Sequence, residues 1–165
     1  MAALTAETKA PDFSLSDLNG TTISLQERLS RGPVLVAFFK VSCPTCQYTF
    51  PFLERLHEVY GRDKISIIGV SQNNQKDTSA FVKEYGVTFT TVLDDPNGYA
   101  VSNAYGLTNV PSLFLIAPDG NIEISSVGWV KKEIEAINLR LAAAQKEAPA
   151  VIFRPGEDIR DFRAG

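Results

Sequence analysis

Histidine occurs once in this 165-residue chain, at position 57, and cysteine only twice, at positions 43 and 46. A structural zinc site takes four ligands, which these three residues cannot supply from one chain. Two cysteines are also too few for a disulfide-scaffolded fold. Positive charge is no richer: the net charge is −3 with no basic cluster, so the electrostatic footprint of a nucleic-acid binder is missing. No apolar run approaches the roughly 18 residues of a membrane-spanning helix. The opening, Met1 to Glu7, lacks the basic-then-apolar order of an export signal. The chain as it stands reads as cytoplasmic, without membrane or nucleic-acid partners. It reads as periplasmic or extracytoplasmic if an export signal has been removed.

What remains is an ordinary globular composition, 44% apolar and 21% charged, long enough for one domain with a real core. Residues 1–9 read as a loose leader, 10–146 as the domain and 147–165 as a tail. Phe13 and Leu15 alternate with polar residues, Asn19-Gly20 signals a two-residue hairpin turn, and Ile23 and Leu25 resume the alternation. A short helix or turn follows (26–31), then Val34 to Phe39 as a fully buried strand. Apolar positions at helical spacing mark a helix over 47–60, with Pro51 expected to kink it. A second buried strand (65–70), a helix (77–85), a short strand (88–93) and a short helix (99–105) come next. Pro111 heads an apolar strand to Ile116, a turn at 118–121 leads to a strand over 122–127, and an amphipathic helix spans 131–146. This order predicts an α/β fold, a mixed sheet with helices on both faces. In the tail, 149–153 suits a brief extended contact, and the charged residues beyond suit disorder or surface packing.

The chemistry concentrates in Cys43-Pro44-Thr45-Cys46, between the buried strand and the helix. A helix start offers unpaired N–H groups and the positive end of the dipole, which favour a thiolate over a thiol. Two cysteines three apart in a first turn can close a disulfide, and the more exposed one can attack a partner's disulfide. Cys43 is read as that attacker and Cys46, one turn deeper, as the resolving thiol. Pro44 and Thr45, between them, tune the potential and face the substrate. Lys40 is read as a solvated charge at the strand end, with a thiolate-tuning role as the alternative, and Ser42 as an N-cap or a neutral loop residue. The dithiol needs no cofactor and no metal. Its partners would be protein or small-molecule disulfides and thiols, and the oligomeric state is open.

Four features in this order resemble a thioredoxin-like fold of the redoxin branch, the group of TlpA-like oxidoreductases and alkyl hydroperoxide reductase/thiol-specific antioxidant proteins. They are the Ala10-Pro11-Asp12-Phe13 entry, the cysteine pair after a buried strand, Pro51 five positions past Cys46, and Val110-Pro111 before a buried strand. The resemblance spans about residues 10–146 and implies a three-layer α/β/α architecture with an N-terminal β-hairpin. Pro111 lies 65 positions after Cys46, room for an extra strand and helix. The resemblance further implies a cis Val110–Pro111 bond, with Pro111 beside the cysteines and the Val110 backbone offered to an extended substrate. The chain departs from thioredoxins at Ala37, where they carry a buried acid, at Ser42, where they carry tryptophan, and at Lys40, which has no counterpart there.

Thiol–disulfide exchange is the leading function. A thiol-dependent peroxidase is the rival, but its usual threonine three before and proline seven before the peroxidatic cysteine are here Lys40 and Val36. Arg140 and Arg154 are the candidates to activate a peroxide. A third reading makes the pair a redox-sensitive staple in a binding module, with Cys43 buried. His57 is read as a surface residue, Trp129 as packing, and Asp94-Asp95-Asn97 as a turn rather than a cation loop.

Overall fold

A computed structural model of the chain describes residues 3–61, 64–96 and 98–165. Its centre is strand β3 (Val34–Phe39), six apolar residues that are all buried. A strand covered on both faces must be apolar throughout, with alternate side chains serving opposite layers. Leu35, Ala37 and Phe39 enter one core and Val34, Val36 and Phe38 the other. β3 pairs in parallel with β4 (Ser66–Ser71) and antiparallel with β6 (Ser112–Ile116). With β5 (Thr90–Leu93) and β7 (Ile122–Val127) the sheet order is β5-β4-β3-β6-β7.

Helices α2 (Pro44–Tyr60), α3 (Gln75–Glu84) and α5 (Lys131–Gln145) close the first core through Phe50, Phe81 and Ile137. The hairpin β1–β2 (Ser14–Ser16, Thr22–Ser24), α1 (Leu25–Leu29) and α4 (Ala100–Ala104) close the second through Leu15, Leu25 and Val101. This is the expected α/β/α sandwich, with β4, α3, β5 and α4 filling the stretch between α2 and Pro111. Among the described residues no helix is long and apolar enough to cross a membrane.

Two local outcomes here differ from the sequence reading. The hairpin turns over more than two residues, because the Asp17 carboxylate accepts the Asn19 and Thr21 N–H groups and Gly20 takes the left-handed step at φ 83°. His57 is half-buried rather than on the surface, its ring edge-on to Phe89 at 6.0 Å between centroids.

Asp94 is fully buried, which a solvated turn would not require. Its carboxylate accepts the Val101 and Ser102 N–H groups at 3.2 and 2.7 Å and the Ser102 hydroxyl at 2.7 Å, so it caps α4. Asp95 accepts the Tyr99 hydroxyl, and Asn97 lies outside the described residues. Asp94→Ala strands three buried donors and is expected to cost about 3 kcal/mol in urea unfolding, with Asp94→Asn recovering part of it. A loss below about 0.5 kcal/mol would mean that water replaces the carboxylate there.

The tail is neither disordered nor confined to one brief contact. Ile152 is buried in the first core, and the Tyr60 hydroxyl and Asn138 amide hold Ala150 from both sides. Arg55 donates to the Ile152 carbonyl and grips Glu157 with two parallel bonds of 2.8 and 2.7 Å. Phe162–Arg163 forms strand β9, paired antiparallel with β8 (Trp129–Val130). The Arg55 guanidinium holds the Glu157 carboxyl down to about 2, from 4.5. Because the folded value is the lower one, this contribution is complete above about 4.5 and fades as pH falls toward about 2. Amide protection factors across 150–157 are expected to fall over that acid window, and Glu157→Gln to show the lower protection already at neutral pH.

Candidate functional site

The C-terminal end of β3 delivers the chain into a tight turn, in which the Cys43 N–H donates to the Lys40 carbonyl. Both polar groups of Val41 are tied down, its N–H to Asn73 Oδ1 and its carbonyl to Gln47 Nε2, each at 2.9 Å. Loop 40–43 is therefore fixed before α2 begins. Asn73 sits in a stretch that reads in the sequence only as polar loop, and its role rests on a contact 32 positions away.

The N-cap of α2 is Cys43 itself, not Ser42, which is exposed in the loop. Cys43 Sγ accepts the Cys46 N–H at 3.1 Å, the bond a serine or aspartate oxygen ordinarily makes at this position. A cap atom sits at the positive end of the helix dipole, where negative charge on it is favoured. Pro44 occupies the first turn, where a missing N–H costs nothing, and is exposed. Cys46 lies inside the helix with no solvent exposure, whereas Cys43 is half-buried, and both are free thiols. Burial, and next the hydrogen bond with Cys43, push the Cys46 thiol well up, while the backbone and charge of Lys40 act in the opposite direction. Ala37 is buried in the same core as Cys46 and offers no acid. The buried Glu54 is committed to the Thr88 N–H and hydroxyl.

Across from the pair, the Val110–Pro111 peptide is cis and Pro111 is buried. The Cys43 thiol donates to the Val110 carbonyl at 3.4 Å, so residues 67 positions apart share one small surface. Having no N–H, Pro111 presents no donor to the sulfurs. Lys40 is exposed and lines a cleft of about 190 Å³ with Gln72, Leu107, Thr108, Asn109 and Val110. Thr45 is not open to a substrate: it is 4% exposed, and its hydroxyl donates to the Ala164 carbonyl at 2.6 Å. Neither arginine considered for peroxide chemistry is engaged with the dithiol. Arg140 pairs with Glu123, and the Arg154 N–H closes a tail turn on Glu157.

The arrangement gives one accessible sulfur at a helix start, a second one turn deeper, and a backbone carbonyl beside the first. Comparison with known proteins points the same way. The AhpC/TSA family model matches residues 6–125. The thiol-disulfide oxidoreductase ResA of Geobacillus thermodenitrificans is 31% identical over 79% of this chain and 74% of its own length. That of Halalkalibacterium halodurans is 33% identical over 77% and 72%. Among solved structures, the thioredoxin domain of a thiol-disulfide oxidoreductase from Bacteroides vulgatus superposes with a TM-score of 0.74 at 22% identity, covering 83% of this chain and 97% of that one, which supports the fold. A dithiol at a helix start, on a sheet of this order and with relatives of this name, makes the chain a member of the AhpC/TSA family from its redoxin branch, a thiol–disulfide oxidoreductase.

Proposed function

We propose that Cys43 is the attacking thiol and Cys46 the resolving one. In the first half-reaction Cys43 Sγ, as thiolate, attacks one sulfur of a substrate disulfide. A Cys43–substrate bond forms, the substrate S–S bond breaks, and one thiolate leaves. In the second, Cys46 gives up its proton, matched by the thiolate already released, and attacks Cys43 Sγ. The Cys43–Cys46 disulfide forms and the second substrate thiolate departs. The substrate is reduced by two electrons and the dithiol oxidised by two. The Val110 backbone and exposed Pro44 flank the incoming chain, and Lys40 lines the adjoining cleft.

The observation that carries this reading is the position of Cys43 Sγ, half-buried at the helix cap within bonding distance of both the Cys46 N–H and the Val110 carbonyl. A structural staple would bury Cys43 as completely as Cys46. A peroxidase would carry its threonine and proline where this chain has exposed Lys40 and buried Val36. The test is to oxidise the reduced protein with a disulfide and with a hydroperoxide side by side. Faster oxidation by the disulfide, ending in one Cys43–Cys46 bond per chain, is expected. Faster oxidation by the peroxide would assign the protein to the rival reaction.

A further inference from the structure

The tail reaches the dithiol itself. After crossing α2 it is gathered by Trp129, whose Nε1 donates to the Arg160 carbonyl at 2.6 Å, and by the Tyr48 hydroxyl, which accepts the Arg160 N–H. β9 then runs antiparallel to β8, and the Ala164 carbonyl takes the Thr45 hydroxyl. Gly128, whose N–H donates to the Pro111 carbonyl, is one point of close approach. At φ 76° it has no side chain, and a Cβ there would stand 2.7 Å from the Arg163 carbonyl oxygen. A Cβ at Gly165 would stand 2.4 Å from the Val110 carbonyl oxygen. Two glycines thus let the backbone of 163–165 lie against the edge of the Val110–Pro111 loop. That edge is the one an extended polypeptide would need. The other flank of Val110 remains open as the cleft of about 190 Å³ beside Lys40, a volume below the usual range for drug-sized ligands.

We infer that segment 160–165 is a specificity strap: it occupies the extended-peptide groove beside Cys43 and directs the dithiol toward small-molecule disulfides, admitting polypeptide only when it lifts. This rests on the exchange reading above and names its substrate class. A groove open in about 10% of molecules or fewer weakens apparent polypeptide affinity about tenfold or more, and leaves a small disulfide that does not use the groove unaffected.

The test compares insulin with bis(2-hydroxyethyl) disulfide as oxidants of the wild-type protein and of Gly165→Leu, whose side chain cannot fit against Val110. The variant is expected to gain roughly tenfold in kcat/KM on insulin and to stay within about twofold on the small disulfide. Equal changes on both, or no change on either once amide exchange shows 161–165 released, would overturn the strap. Should the leucine leave the strap docked, Cys46→Ala decides. Its mixed disulfide with the insulin B chain must lose amide protection at 161–165 that the mixed disulfide with 2-mercaptoethanol retains, and equal protection overturns the inference. A wild-type protein inert to both disulfides would refute the exchange reading itself rather than the role of the strap within it.

Discussion

Cys43→Ser is expected to abolish disulfide reduction, while Cys46→Ser accumulates a stable mixed disulfide with the substrate. The asymmetry follows from depth. Cys43 Sγ is half-buried at the cap, where a substrate sulfur can approach it, and Cys46 has no exposed surface and lies against Cys43 one turn deeper. Losing the nucleophile removes the first half-reaction and should cost on the order of a thousandfold or more, about 4 kcal/mol of barrier. Losing the resolving thiol leaves that step intact and removes only the exit. A serine at 43 can still accept the Cys46 N–H, so the fold is expected to survive with little change in unfolding midpoint. Mass spectrometry of each variant after one addition of substrate disulfide reads the result. A substrate adduct on Cys43→Ser, with none on Cys46→Ser, would invert the assignment.

Trp129→Ala should be the most destabilising single change near the site. The indole is fully buried and packs on Phe52, Tyr48 and Phe153 with centroids 4.8, 5.0 and 6.2 Å apart. Its Nε1 also holds the Arg160 carbonyl. Removing a buried aromatic of this size costs about 3–5 kcal/mol, because neighbours held by helix and sheet relax only partly into the cavity. For a domain of this length that is a fall in Tm of about 10 °C. Trp129→Phe keeps most of the packing, loses the hydrogen bond and should cost about half as much. The loss should be accompanied by release of 160–165, visible as faster amide exchange there. An unfolding free energy within about 1 kcal/mol of wild type would show that the tail and α2 close over the gap.

What the sequence makes legible here follows the range of the interactions involved. The buried strand 34–39, the cysteine pair at its end and the helix beyond are local patterns of apolar period and helix-start chemistry, and they stand where the residues put them. The placement of Pro111 beside the dithiol came from resemblance to a family, since nothing local to Val110-Pro111 says which cysteine it faces. The details that local pattern does not reveal depend on distant partners or an unusual acceptor. Cys43 caps α2 because its sulfur takes the place an oxygen usually fills, and Ser42, read as an N-cap or a neutral loop residue, is the loop residue. Asn73 and Glu54 show no signal by themselves, for their partners lie 32 and 34 positions away. The tail is polar and rich in charge, which locally favours disorder. It is ordered by single contacts spread along it: Ile152 in the core, Glu157 on Arg55, Arg160 on Trp129 and Ala164 on Thr45.

Competitive alkylation bears most directly on the division of labour between the two sulfurs. Reduced wild-type protein is exposed at neutral pH to limiting iodoacetamide, quenched, and mapped by peptide. The half-buried thiol at the helix cap should be labelled first, ahead of its buried neighbour by on the order of tenfold or more. Equal labelling of positions 43 and 46, or a lead for 46, would contradict the account.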